Sequence, residues 1–447
     1  MERNTKNNKE SLIFNPILTV CGYKSLYREQ NIELKPFTVL AGANSSGKSS
    51  MLQPLLLLKQ TLEVQYDPGT LLLDGPNVRF TTFDQLLSRK ATKDNKNRFS
   101  IQFGNEKKQI KIIYKKSSKD IEIDEMIDYD LKTGNEFIIH QGMSHDEIIK
   151  NINKFYSEKS KRISKNISRE YYQENCTWYI EKDRCFLYLT LIGHEATPLT
   201  YESLRPSSFL EKSILELIHL PGLRGNPERT YKTAAVGNYF PGIFQHYLAS
   251  IINHWQINKD ERLIELGKYM ENLGLTWKVE AKQIDDTRVE LLVGRLPDSK
   301  KANSKDMINI ADVGFGVSQV LPVLVSLLIA RKGQIVYIEQ PELHLHPRAQ
   351  VALAQIIADA AKRGVCVVIE THSPLLLLGI QTLVAEKKLF PELIKLHWFT
   401  REKDGYTKIN SVDLDEKGAY GDWPEDFGDI ELKLQSRYLD ASEDWGN

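Results

Sequence analysis

The chain has 447 residues, 41% of them hydrophobic, with 59 Lys plus Arg against 59 Asp plus Glu and four cysteines. That length predicts two to three domains with cores of their own. The balanced charge excludes a globally basic nucleic-acid binder or membrane-surface protein, and four scattered thiols without paired metal spacing fit a reducing compartment. Residues 1–11 are polar, lack the apolar core of a signal peptide and read as a loose tail, so a cytoplasmic location is expected. The longest apolar runs, 320–330 and 374–385, fall short of the roughly 18 to 20 residues that cross a bilayer and read as buried helices.

In chain order, residues 12–40 predict two strands around a turn at Gly22 to Leu26, then a buried strand at 36–40. Next comes Gly42-Ala43-Asn44-Ser45-Ser46-Gly47-Lys48-Ser49, a full match to the phosphate-binding loop pattern, followed by a Leu-rich helix. Strand, loop and helix aim backbone N–H groups and a positive helix end at one point, where an anionic phosphate is held. Lys48 is expected to reach the β- and γ-phosphates of ATP, and the Ser49 hydroxyl to hold Mg²⁺. Pro54 should bend the helix about a turn in. Residues 70–76 read as strand then turn, and Gln85 as either a solvent-facing glutamine or a contact to Mg²⁺ or its water.

Alternation around Phe99, Ile101, Phe103, Ile110, Ile112 and Tyr114 predicts half-buried antiparallel strands over 98–129, with charged residues 116–130 as their exposed edge. Residues 144–174 turn helical, and Lys161, Lys165 and Arg169, with Arg162 beside them, share a face. That face is either solvated or a docking stripe for nucleic acid or an acidic partner. Strands return over 176–200. The Pro- and Gly-rich loop after Leu220 carries Arg224 and Arg229, which either meet a phosphate or interface or pair with local carboxylates. Amphipathic helices at 244–255 and 261–273, strands at 277–292 and a polar loop at 297–306 follow.

Asp312 to Gln319 opens the helix at 320–330 and forms a second Gly- and Ser-bearing anion site. The buried strand at 334–338 ends in Glu339-Gln340-Pro341-Glu342, which places Glu339 opposite Ser49, where it would hold Mg²⁺ through water. One strand later, 365–370 leads into Thr371-His372-Ser373. Three strand tips thus converge on one nucleotide, where open α/β sheets bind ligands. His344 and His346 lack the companion spacing of a metal site. Residues 396–414 predict two more strands, 423–427 a packing loop, and 413–444 an acidic end that is either solvated or docks a basic partner.

This order of parts resembles the ABC-type ATPases. More narrowly, residues 42–63 (GANSSGKSSMLQPLLLLKQTLE), 312–322 (DVGFGVSQVLP) and 338–350 (IEQPELHLHPRAQ) resemble the bacterial overcoming-lysogenization-defect-like ATPases, in particular the ATPase subunits of Septu-type anti-phage systems. The resemblance implies an α/β, ABC-type P-loop ATPase with an antiparallel β lobe and an inserted, mainly helical region. Residues 1–143 and 211–400 would form the two parts of the ATPase head, with 144–210 inserted and 401–447 as C-terminal strands and tail.

It further implies that Gly42, Asn44, Ser45, Ser46, Gly47, Lys48, Ser49 and Ser50 bind ATP, that Ser49 and Glu339, with Gln85, serve the metal, and that His372 senses the γ-phosphate. Gly314, Gly316 and Ser318 would serve the nucleotide of another subunit, which demands a homodimer or higher homo-oligomer. The loop 343–347 would cross between subunits. One departure stands out: ABC ATPases follow the metal-side acid with a basic Glu, and here the position holds Gln340. A carboxamide orients water but takes no proton, so hydrolysis is expected to be slow unless Glu342 or His372 substitutes as base.

The sequence carries no HNH-type metal cluster and no paired acidic nuclease motif, so toxic chemistry would come from a partner nuclease, of HNH type if the system is Septu-like. The rival expectation is a DNA-binding clamp similar to RecF- or SMC-type ATPases. The long inserted region speaks against a transporter ATPase.

Overall fold

Every residue of the strand Phe37–Gly42 is buried, so it needs neighbours on both edges and cover on both faces. It has them at the centre of a six-stranded sheet. The computed structural model, which describes residues 15–90, 96–118, 120–155, 176–194, 200–297, 306–421 and 429–443, orders that sheet Ile218–Leu220, Ile335–Glu339, Cys366–Thr371, Phe37–Gly42, Ile394–Arg401, Thr407–Val412. The first five strands are parallel, and Thr407–Val412 closes the edge as an antiparallel hairpin.

Alternate side chains feed two cores. Phe37, Val39, Ala41, Val336, Ile338, Val367 and Ile369 point toward the helices Phe315–Ile329, Pro347–Lys362 and Pro374–Ala385. Leu40, Tyr337, Val368 and Phe399 point the other way, toward the helix Lys48–Glu63 and a second sheet. That second sheet is antiparallel throughout, ordered Gln30–Glu33, Ile17–Cys21, Arg98–Gly104, Lys108–Lys116, Ile121–Asp130, Asn135–Ile139. A three-stranded sheet of Thr200–Leu204, Phe186–Gly193 and Cys176–Asp183 shares its core. The strands Val279–Asp285 and Arg288–Gly294, flanked by Tyr231–Lys232 and Met307–Asn309, pack with the helices Leu248–Ile257 and Glu261–Asn272 on the opposite side.

Three expectations change. Residues 116–130 are no exposed edge: Ile121–Asp130 is paired on both sides and buries Ile121, Ile123 and Met126, with Glu122 exposed and Asp128 buried against Lys108 at 3.0 Å. Residues 70–76 form no named strand. Leu72 O accepts from the buried Gln60 amide at 2.7 Å and Leu72 N donates to Thr61 Oγ1 at 2.9 Å, while Leu73 and Gly75 bond back to Phe80 and Val78 in a tight turn with a single bridge at Asp74 and Arg79. The helix expected at 320–330 starts at Phe315, five residues before the position expected from its apolar run. The stripe of Lys161, Arg162, Lys165 and Arg169, and the loop at 423–427, lie outside the described residues; the acidic end carries the helix Asp429–Glu443. No helix among the described residues is long and apolar enough to cross a membrane.

Candidate functional site: a phosphate loop at three strand tips

The phosphate loop needs two residues that tolerate left-handed backbone and close approach. Gly42 has φ +140° and Gly47 φ +105°; a Cβ would meet Phe399 O at 2.3 Å in the first and Thr407 Oγ1 at 2.4 Å in the second. The C-terminal hairpin therefore braces the loop from outside. The Thr407 hydroxyl lies 2.7 Å from Ser46 O and 2.8 Å from Ser25 Oγ. Ser45, also left-handed at φ +60°, completes the turn.

Inside the loop, Lys48 Nζ donates to the carbonyls of Gly42 at 3.1 Å and Ala43 at 2.9 Å. Burial lowers its pKa, partly offset by the Glu370 charge. Ser46 Oγ is buried without a partner. The Ser49 hydroxyl does not meet Glu339. It bonds Glu370, at 2.8 Å to Oε1 and 3.1 Å to Oε2, and Glu370 Oε2 also accepts from Tyr337 OH at 2.9 Å. Strand order explains this, since Cys366–Thr371 lies between the strands of Phe37–Gly42 and Ile335–Glu339. Glu339 is the register partner of Glu370, one strand further out.

The two acids differ in environment. Burial and the neighbouring Glu339 charge push Glu370 up to about 7, against the hydrogen bonds from Ser49 and Tyr337. Burial acts the same way on Glu339, but hydrogen bonds from His219, Gly222 N and Tyr337 outweigh it and leave that carboxyl below its ordinary value. His219 Nε2 lies 3.2 Å from Glu339 Oε1, and Gly222 N donates to Oε2 at 3.1 Å. A hydroxyl and two carboxylates are hard oxygen donors of the kind Mg²⁺ takes.

Gln340 occupies the next position with φ +45°, and its carbonyl and that of Glu339 accept from Arg224 Nη2 at 3.2 and 2.6 Å. Arg224 is thus a buried clamp on this strand end; burial lowers its pKa to about 10 despite Glu342 and Glu339 nearby. Arg229 pairs with Asp312 at 2.7 Å instead of reaching a phosphate. Glu342 Oε1 accepts from Thr371 Oγ1 at 2.7 Å and from His372 N at 3.1 Å, so it holds the His372 turn. Burial raises the Glu342 pKa, and burial together with the Lys48 charge lowers that of half-buried His372.

A cavity of about 750 Å³ opens beside the loop, lined by Ser45, Gly47, Lys48, Ser49, Ser50 and Glu370 among others. Gln85 lines it too, but its amide is tied to Thr81, accepting from Thr81 N at 2.8 Å and donating to Thr81 Oγ1 at 3.1 Å. Asn44 is exposed on the loop. Gly314, Gly316 and Ser318 do not line this cavity; Gly316 lies against the His344 backbone, and Phe315 stands over the His344 ring at 6.0 Å. His346 caps the next helix, accepting from Arg348 N at 3.3 Å, and among the described residues no group of three or more His, Cys, Asp or Glu is placed to hold a metal.

Glu370, Tyr337 and His219 are the site residues that reading the chain missed. The available signal was a Glu closing the apolar run Val365 to Ile369, beside a histidine that drew the attention.

No curated protein matches the chain by sequence. Among solved structures, it is similar to an SMC head bound to the C-terminal winged-helix domain of ScpA, with 13% identity over 90% of this chain and 98% of that one, at a TM-score of 0.43. It is also similar to the SMC head domain of Thermotoga maritima, with 9% identity over 90% and 99% at 0.37, and to an SMC head with an extended coiled coil, bound to a ScpA C-terminal domain, from Pyrococcus furiosus, with 11% over 89% and 96% at 0.37. A family model described as "AAA domain, putative AbiEii toxin, Type IV TA system" matches residues 37–378, which span the phosphate loop, Glu339 and His372. With the loop, the strand order and that match in agreement, the chain belongs to this family of AAA-type P-loop ATPases.

Proposed function

We propose that this protein is a cytoplasmic, dimer-forming ATPase that binds ATP, hydrolyses it slowly and thereby regulates a partner effector, a nuclease, in anti-phage defence. The observation that carries the slow chemistry is a braced phosphate loop two strands from a tip that carries a carboxamide, Gln340, whose main-chain carbonyl accepts from Arg224. Lys48 would exchange its two loop carbonyls for phosphate oxygens. Ser49, with Glu370 and Glu339 behind it, would hold Mg²⁺, which supplies charge neutralisation at the phosphates. Gln340 orients the attacking water without accepting its proton. Glu342, engaged with Thr371 and His372, positions the switch histidine.

The defence context rests on the three quoted motifs and on the matched family, whose description names a toxin of a toxin–antitoxin system. Single-turnover ATP cleavage tests the slow-base reading: Gln340→Glu should raise the rate by about a hundredfold, the scale of a positioned general base. An unchanged rate would overturn it. Native mass spectrometry of the protein expressed with its genomic neighbours, with and without ATP and Mg²⁺, tests the partner. An ATP-dependent complex with a nuclease supports the reading; steeply salt-dependent DNA binding by a partnerless dimer moves it to an SMC- or RecF-like clamp.

A further inference from the structure

The edge strand Ile218–Leu220 is buried throughout, yet its central residue is a histidine. Ile218 and Leu220 enter the core on one face of the sheet, and His219 points to the other. There it is the register partner of Tyr337, on whose ring it stacks with centroids 5.2 Å apart and planes 14° from parallel. A buried imidazole costs free energy unless its nitrogens are paired, and both of these have a partner.

Glu339 follows Tyr337 by two residues on the same face of its strand, which brings the carboxylate diagonally against the histidine. His219 Nε2 lies 3.2 Å from Glu339 Oε1, and a carboxylate only accepts, so the hydrogen of this contact belongs to Nε2. Three residues further on, Gly222 N donates to the other oxygen, Oε2, at 3.1 Å. One short segment thus grips both oxygens, and each keeps a lone pair for a metal-bound water.

Behind the ring, Nδ1 lies 3.1 Å from the side-chain carboxamide of Asn77, a group that serves a ring nitrogen as donor or as acceptor. The Asn77 backbone N–H donates to Gln60 Oε1 at 3.3 Å, and Gln60 is fully buried on the helix Lys48–Glu63, which begins with Lys48 and Ser49. Side chains in contact therefore run from the helix that carries Ser49 to the acid on a strand two places away in the sheet.

We propose that His219, seated by Asn77, is a positioning residue for Glu339: its Nε2–H fixes the orientation in which that carboxylate serves the metal of the phosphate loop. This role rests on the proposed binding of ATP with Mg²⁺ there, with Glu339 as the metal-side acid.

Two substitutions separate positioning from packing. His219→Phe keeps a ring over Tyr337 and removes the donor, whereas His219→Gln gives up the ring and keeps an N–H at the reach of Nε2. Fluorescent-nucleotide titration, with Mg²⁺ and with EDTA, reads the metal-dependent gain in ATP affinity, and single-turnover cleavage at rising Mg²⁺ reads how much metal hydrolysis requires. His219→Phe should bind nucleotide in EDTA as the wild type does, which shows a folded phosphate loop. It should lose the metal-dependent gain and raise the Mg²⁺ requirement about tenfold or more, the scale on which partners behind a metal ligand act. His219→Gln should recover most of that loss. Should His219→Phe not fold, Asn77→Ala decides: it leaves the strand intact and should raise the Mg²⁺ requirement in the same direction, and an unchanged requirement overturns the proposal. Glu339→Gln should itself lose the metal-dependent gain; if it keeps the gain, the metal-side assignment of Glu339 falls and the role of His219 with it. If Glu339→Gln loses the gain while His219→Phe behaves as wild type, or Phe is tolerated and Gln is not, His219 is a packing residue and the positioning role alone is overturned.

Discussion

At the scale of the residue, the site is governed by what a single side chain is forbidden to be. Gly47 is the sharpest case, with a left-handed φ of +105° and a neighbour, Thr407 Oγ1, 2.4 Å from where a Cβ would sit. Gly47→Ala should combine backbone strain of about 1 to 3 kcal/mol with displacement of the Thr407 brace. The expected result is ATP affinity lowered more than tenfold and a lower melting temperature, read by fluorescent-nucleotide titration and thermal denaturation. Gln340 is a second such residue, where one atom's difference from Glu removes basicity while leaving shape and hydrogen-bonding reach intact. Residue chemistry also limits what was legible in the chain. The phosphate loop announced itself because its pattern is local, whereas Glu370 meets Ser49 across 321 positions of sequence. A lone Glu closing an apolar run looks the same whether it ends in solvent or beside a hydroxyl.

At the scale of the element, the two large sheets are joined by a buried histidine. His397, on the strand Ile394–Arg401, lies fully buried with Nε2 donating to Glu33 O at 2.8 Å and Nδ1 2.8 Å from Ser411 Oγ. Burial lowers its pKa to about 4, with Lys395 and Lys35 adding to the shift and Asp413 opposing it. The folded value is below the unfolded value of about 6.5, so the unfolded chain takes the proton first. The stability contribution is therefore complete above pH 6.5 and is lost as the pH falls through 4. It amounts to about 2 kcal/mol between pH 7 and pH 5, at about 1.4 kcal/mol per unit. Chemical denaturation at the two pH values should show the wild type losing about 2 kcal/mol more than His397→Gln, which keeps a donor and an acceptor without titrating; taking the difference between the two proteins cancels the other groups that titrate in this window, Glu370 among them. Elements whose pattern was self-contained were readable in advance: the helix Pro374–Ala385 and the strands Val279–Asp285 and Arg288–Gly294 fall where periodicity puts them. Residues 70–76 misled because an apolar run implies burial and not a ladder, and Gln60 and Thr61, from the helix before, had already taken the Leu72 backbone groups.

At the scale of the whole molecule, Gly314, Gly316 and Ser318 do not line the phosphate-loop cavity, and Phe315 at the head of the helix Phe315–Ile329 is 54% exposed. If two copies close over ATP, this ring is covered. ATP with Mg²⁺ should double the mass seen by light scattering, and Phe315→Asp should abolish the doubling while each monomer still binds ATP. A wild-type mass unmoved by nucleotide would remove the dimer from the proposed function. The site as a whole was legible as a convergence of strand tips, because parallel sheets gather their carboxyl ends. Its inner hydrogen-bond order was not, since the chain does not state which strand lies next to which.

The central strand Phe37–Gly42 has both its sheet partners, Cys366–Thr371 and Ile394–Arg401, more than three hundred residues downstream, and its loop is braced by Thr407. A ribosome adding about 5 to 20 residues per second needs roughly 20 to 70 seconds to travel from one to the other. For that interval this fully buried strand has emerged without its neighbours, and the nucleotide site does not yet exist. The order of translation thus makes ATP binding one of the last properties the molecule acquires, a built-in delay between the birth of the chain and its first encounter with its substrate.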